Sequence, residues 1–419
     1  MSPAANADAV DARRPSLHFT PRSGWINDPH GITYRDGRYH AFFQYVPDST
    51  VWAPSCHWGH AIGTDLLSLT EGAVAIAPGD GDDGIWTGSL VAEDRGRIFY
   101  TSITEPDFGI GRIRTATPDD PDWIGWTKGA FVVDAPAELD LIAFRDPFVR
   151  REETGWRMFV GAARRDGTAM ALTYTSADLE TWVYDGVALE RPTTDRDPVW
   201  MGALWECPQI FTLDGRAVMV SSVWDDDVLH YAGYALGSYA DGRFTAETWG
   251  RLTFGDSYYA PSLFTDADGE LCLSFWMRGI SDPAAGWANA HSLPHRLRVD
   301  GDRLVARPHP DVASHRGGLA ADGRIDGLAA DIEWDVTEGE LRIRSSDRAV
   351  ASLSRSGDEV IVTGDAGSQR IPASGPIRVI VDGPVLEVSS AGGIFGVAVS
   401  PNGSTLNVTG DGTKVYRLE

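Results

Sequence analysis

Several large protein classes are excluded by what this sequence has little of. Cysteine occurs three times in 419 residues, at Cys56, Cys207 and Cys272. There is no CxxC pair and no histidine at zinc-finger spacing, so neither a disulfide framework nor a structural zinc site is expected, and each thiol should be buried and free. No stretch approaches the roughly 20 apolar residues that span a bilayer. The opening segment MSPAANADAVDARRPSLHF also lacks the apolar run of an export signal. The expectation is a soluble, cytoplasmic protein without a membrane partner. Positive charge is scarce: 36 Lys and Arg stand against 60 Asp and Glu, a net charge of −24 spread without long acidic runs. Such a surface repels phosphate backbones, so nucleic acid is not an expected partner. A GxSxG nucleophile elbow and a DxDxDG calcium loop are both missing, and no metal or cofactor is expected.

What the sequence does have is turns and aromatic residues: 46 Gly, 24 Pro, 15 Trp, 12 Tyr and 15 Phe, with short alternating stretches in place of helical periodicity. Five segments share one plan of strand, glycine turn and strand: GITYRDGRYHAFFQY, GSLVAEDRGRIFYTSI, DPFVRREETGWRMFVGA, CPQIFTLDGRAVMVSSV and PSLFTDADGELCLSFWM. Their turn glycines, Gly37, Gly96, Gly155, Gly215 and Gly269, are separated by 59, 59, 60 and 54 residues. A near-constant period with room for about four strands is what a β-propeller blade leaves in a sequence. The fold expected for residues 18–300 is therefore an all-β, five-bladed propeller, after a disordered leader over residues 1–17.

Counting nine residues back from each turn glycine gives Asp28, Thr87, Asp146, Glu206 and Ala260. Equivalent positions of successive blades face one central channel, so three acids from separate repeats should converge there. Beyond residue 300 the texture changes. The charged, Pro- and Gly-rich residues 301–318 suit a linker. Residues 319–419 alternate like an antiparallel β-sandwich, with strands such as EVIVTG and IRVIVDGPVLEV, and gather no catalytic residue types.

Three carboxylates in a funnel suit glycoside hydrolysis, in which one acid protonates the leaving oxygen and another attacks or activates water. Tryptophans near the acids, among them Trp25, Trp52, Trp58, Trp86, Trp205 and Trp224, offer flat faces for sugar rings or pack in the propeller core. The acidic run Asp225–Asp227 could bind a cation or rim a sugar site.

The ordered motifs WINDPHG, FRDPFV and WECPQIF resemble those of glycoside hydrolase family 32, the invertases, levanases, inulinases and related fructosyl-transferring enzymes. The resemblance continues through FFQY, HWGHA, IWTGS, FGDSYYAPSLF, GWANAHSLPHRL and RVIVDGPVLEV. It implies a five-bladed propeller followed by a β-sandwich, and a retaining mechanism on terminal β-fructofuranosyl units. By the same resemblance, Asp28 would be the nucleophile, Glu206 the acid and then base, and Asp146 the holder of fructose hydroxyls, with Arg145 keeping Asp146 ionised. Asn27, Gln44, Trp52, Trp86 and Thr87 would wall the fructose subsite, Tyr259 would also bind substrate, and Trp224 and Asp225 would meet the leaving-group sugar. The expected partner is a small fructoside. A fructosyltransferase using the same residues is the alternative, and a sugar-binding propeller without catalysis is disfavoured by the presence of all three acids. His30 and Thr87 depart from the family's usual residues, which leaves substrate choice, exo or endo action and oligomeric state open.

Overall fold

The computed structural model describes residues 14–346 and 348–419. Apart from a 3-10 turn at Pro283–Ala285 and a one-turn helix at Asp311–Ser314, the regular elements of the described residues are strands. No helix among them is long and apolar enough to cross a membrane.

Five four-stranded antiparallel blades follow one another along the chain. They begin with Gly24–Arg35, Gly84–Val91, Leu141–Glu152, Leu204–Leu213 and Tyr258–Thr265. The first two strands of each blade meet at the hairpin whose glycine set the repeat. These five glycines lie at φ +80°, +98°, +150°, +77° and +84°, a region that only glycine occupies at little cost. Closure of the ring is not antiparallel. Strand Trp287–His291, inserted between the second and third strands of the last blade, runs parallel to the first strand of the chain, with Gly24 opposite Trp287 and Trp25 opposite Ala288.

Two sheets packed over a core that includes Trp334, Leu341, Leu353, Val379 and Leu386 form the C-terminal β-sandwich. Half of the expected linker over residues 301–318 is strand, and Asp311–Ser314 is a helical turn. Arg303–Pro308 is the outermost strand of the fifth blade, and Arg316–Leu319 already pairs within the sandwich. The charge of this stretch reflects strand faces turned to solvent, which composition alone does not separate from a loop.

Of the leader expected to be disordered over residues 1–17, residues 1–13 lie outside the described residues. Residues 16–18 are fastened to the sandwich. Asp382 accepts from the amides of Ser16, Leu17 and His18 at 2.8, 2.7 and 3.0 Å, from Ser16 Oγ at 2.8 Å and from His18 Nδ1 at 2.9 Å. His18 Nε2 lies 3.5 Å from Glu387. Burial alone would lower the His18 pKa, but the Glu387 and Asp382 carboxylates outweigh it and raise it to about 9. Leu17, Leu293, Val312, Ile380 and Leu418 close the same seam with apolar contacts.

Asp382→Asn is expected to cost about 3 kcal/mol or more of stability, measured by denaturant unfolding, because it leaves buried donors and a buried cation short of a partner. His18 is held protonated, so its contribution is complete below pH 6.5 and is lost as pH rises through about 9. His18→Gln should therefore flatten the fall in melting temperature between pH 7 and 10.

Candidate active site

Each innermost strand carries a β-bulge at the repeat position found by counting from the turn glycines. Register breaks fall between Ile26 and Pro29, between Trp86 and Gly88, opposite the Phe159–Gly161 step at Asp146–Pro147, between Glu206 and Gln209, and between Tyr259 and Ser262. Four of the five bulges end in proline: Asp28-Pro29, Asp146-Pro147, Cys207-Pro208 and Ala260-Pro261. Proline has no amide hydrogen to give the ladder, so the strand must break there, and the extra residue turns its side chain toward the axis. Asp146, Cys207 and Ala260 are driven to φ +65°, +51° and +47°, a strained region for residues with a Cβ.

The proline alignment corrects one element of the sequence reading. Asp28 and Asp146 are equivalent positions, but their equivalent in the fourth blade is Cys207. Glu206 stands one residue earlier, level with Asn27, Trp86, Arg145 and Tyr259. The fourth hairpin is one residue shorter between its proline and its glycine, so counting from the glycine alone landed on the acid.

All three acids nevertheless face one cavity of about 660 Å³. Its buried floor is formed by Asn27, Asp28, Gln44, Arg145, Asp146, Tyr259 and Trp276, and half-buried Glu206 adjoins it. Trp25 and Trp86 stand in the wall, and Trp52, Phe108, Ile142, Trp224 and Leu229 surround the mouth. Of the catalytic and substrate-binding residues that the resemblance implies, Thr87 and Asp225 do not line it, and of the tryptophans named from the sequence Trp58 and Trp205 are buried elsewhere. Thr87 lies behind Asp28 and holds its Oδ2 at 2.5 Å. Asp225 is displaced by Asp227, because Asp226 and Asp227 form the tight hairpin turn at φ +49° and +59° and carry the acidic run over the mouth. His30, one of the departures from the family's usual residues, is buried away from this cavity. It packs 3.8 Å from the Trp58 ring and lines a separate chamber of about 60 Å³ on the axis beneath the acids.

Hydrogen bonds fix the carboxylates differently. Asp28 accepts from Asn27 Nδ2 at 3.0 Å, from Gln44 Nε2 at 3.3 Å and from Thr87, while Gln44 Nε2 also meets Thr87 Oγ1 in a short contact. Asp146 Oδ2 accepts the Cys207 amide at 2.9 Å. Cys207 Sγ is 3.7 Å from both Asp28 Oδ2 and Asp146 Oδ2. This thiol is thus part of the acid cluster, which its reading as an isolated buried cysteine missed; the Cys-Pro following the pattern Asp-Pro was the available signal. Arg145, expected to keep Asp146 ionised, directs its hydrogen bonds elsewhere. Its Nε and Nη2 donate to Glu206 Oε1 at 3.1 and 2.7 Å, and Tyr259 donates to Glu206 Oε2 at 2.5 Å. Arg145 still lowers the Asp146 pKa through space.

Burial dominates the electrostatics. It pushes Asp28 up to about 6, with the Thr87 hydrogen bond as the largest opposing influence and the Glu206 charge adding to the rise. Asp146 is pushed up to about 8 by burial, opposed by Arg145 and reinforced by Glu206 and Asp28. Elsewhere among the described residues, Asp266, Cys272 and His309 cluster closely enough to hold a metal. The Asp266 carboxylate oxygen of that cluster is already bound by Arg296 Nε at 2.7 Å, and a guanidinium in that place disfavours a second cation.

The family model for the N-terminal domain of glycosyl hydrolases family 32 matches residues 18–308. The chain belongs to glycoside hydrolase family 32. It is 32% identical over 320 residues to a sucrose-6-phosphate hydrolase of Zymomonas mobilis, covering 70% of this chain and 61% of that protein. It is also 31% identical over 334 residues to a raffinose invertase of Escherichia coli, covering 74% and 68%. The match to the Zymomonas mobilis enzyme thus spans only about three fifths of that protein's length. In overall fold the chain is similar to a β-fructofuranosidase of Bombyx mori, with a TM-score of 0.85 at 24% identity over 97% of this chain and 94% of that one. A sucrose-6-phosphate hydrolase of Lactobacillus gasseri gives a TM-score of 0.82 at 19% identity, over 98% and 94%.

Because the folded pKa of Asp146 lies above its unfolded value, its ionisation destabilises the fold as pH rises from about 4 through about 8. Asp146→Asn keeps an acceptor for the Cys207 amide and removes the charge. The expected outcome is a melting temperature a few degrees above the parent at pH 8 and equal to it near pH 4, read by calorimetry.

Proposed function

We propose that this chain is a retaining β-fructofuranosidase that removes terminal β-fructofuranosyl units from fructose-containing oligosaccharides or fructans through a covalent fructosyl-enzyme. The observation that carries this reading is the convergence of Asp28, Asp146 and Glu206 from three blades on the floor of one aromatic-walled cavity.

Asp28, held by Asn27, Gln44 and Thr87, attacks the anomeric carbon and forms an ester to it. As the glycosidic bond breaks, Glu206 gives its proton to the departing oxygen. Arg145 binds Oε1 alone, which leaves Oε2 to carry that proton, and the Tyr259 hydroxyl on Oε2 can switch from donor to acceptor. Asp146, fixed by the Cys207 amide, accepts hydrogen bonds from fructose hydroxyls that strengthen as positive charge builds at the anomeric carbon. In the second step Glu206 takes a proton from water as that water attacks the same carbon, and the ester bond to Asp28 breaks. Two inversions return the original configuration. Nothing in this scheme needs a cofactor.

Sucrose, kestose, inulin, levan and difructose anhydrides, with products identified by size, linkage and first-formed anomer, form the direct test. Release of β-fructose with retention is expected, whereas inverted product or transfer to sugar hydroxyls alone would overturn the reading. Asp28→Ala should lower turnover by about 10³-fold or more, and near-normal turnover would remove Asp28 from the nucleophile role.

The acid limb of kcat/KM should follow Asp28, which must be ionised to attack, so activity is expected to fall below pH about 6. Thr87→Val removes the strongest influence holding that pKa down and should move the limb to higher pH.

A further inference from the structure

The mouth of the cavity differs in character from its floor. Trp52, Phe108, Ile142, Trp224 and Leu229 present apolar surface there, and Trp52 and Ile142 are 44% and 37% exposed. Exposed apolar side chains gathered around a polar pocket form a surface for the less polar face of a sugar ring. The charges at the mouth are of one sign. Asp227 lines it, and Asp225 and Asp226 stand beside it on the hairpin that joins the second and third strands of the fourth blade.

Cations are not available to balance them. Among the described residues the one cation in the cavity wall is Arg145, and two of its nitrogens are committed to Glu206. Arg278, packed 5.0 Å from the Tyr259 ring behind the wall, donates to the carbonyls of Leu229 and His230 at 2.7 and 3.2 Å. Recognition of a phosphate by a protein rests on arginine, lysine or clustered amides, and a dianion entering here meets Asp227 in the cavity wall, with Asp225 and Asp226 next to it in the chain.

Building on the fructofuranosidase reading, we propose that the leaving-group side of the site selects an uncharged sugar, stacked on Trp52 and Trp224, and rejects a leaving group that carries a phosphate. The specificity-determining element is the Asp225–Asp227 hairpin together with the aromatic rim. This sets the chain apart from the relatives named for sucrose 6-phosphate, with which it shares the fold and the family motifs.

The deciding measurement is kcat/KM for sucrose against sucrose phosphorylated on its glucosyl C6. Sucrose is expected to be preferred by at least about tenfold at low ionic strength. The preference should narrow at about 1 M salt, where the Debye length is ~3 Å. A variant with Asp225, Asp226 and Asp227 all changed to Asn should narrow it likewise, and Trp224→Ala should raise KM for sucrose more than it lowers kcat. A ratio at or below one in the parent, or a preference untouched by both salt and the triple change, would overturn the inference while leaving the fructofuranosidase reading intact. Fructose released from neither sugar nor from kestose, inulin or levan would overturn the underlying reading instead.

Discussion

The structure depends on how the broken strands at the axis are repaired. A bulge ending in proline leaves a backbone amide out of its ladder, and such an amide, buried without a partner, would be costly. In three blades the preceding blade supplies the acceptor. Thr101 takes the amide of Asp146 at 2.8 Å, Asp146 takes that of Cys207 at 2.9 Å, and Ser222 takes that of Ala260 at 2.8 Å. A second set lies deeper: Ser89 accepts from Val149 at 3.0 Å, and Gln209 accepts from Leu263 at 2.6 Å. At the closure the direction reverses, and Asn289 and His291 donate to the carbonyls of Ile26 and Asn27, both at 2.9 Å. Blades that share no continuous backbone ladder are thereby locked at one angle and height. Asp146 is at once a link in this ring and a member of the acid cluster, so the same contacts that hold the propeller together also aim its chemistry.

That dual use explains why Asp146 sits at a raised pKa. A carboxylate placed to close a ring of buried amides is removed from water, and its neighbours are other carboxylates. Arg145 relieves part of the strain by binding Glu206, and Tyr259 completes the capture. Discrimination among carboxylates then follows from their partners: amide and hydroxyl donors for Asp28, a backbone amide for Asp146, and a guanidinium with a phenol for Glu206.

Much of this was legible in the residues. The glycine period located all five hairpins because a left-handed turn leaves few alternatives to glycine. The three acids picked out by the count line one cavity, although the count that found Glu206 worked through a hairpin one residue short. What escaped were features that depend on the path of the chain between blades. Charge pairing could not be read from adjacency: Arg145 precedes Asp146 and lines the same cavity, yet its guanidinium reaches Glu206 in the next blade. Asp227 replaced Asp225 at the mouth because the turn type sets which residue of an acidic run projects. The strand character of residues 303–308 was hidden because its apolar part is only the three residues Leu304–Ala306, set among charged residues and proline.

Ring closure places Asn27 under the hand of His291, 264 residues later in the chain, and the segment before it under Asp382, farther still. The position of Asp28 is therefore set by strands that lie far beyond it in the chain. A partly synthesised or truncated chain can hold every acid and still have no assembled site.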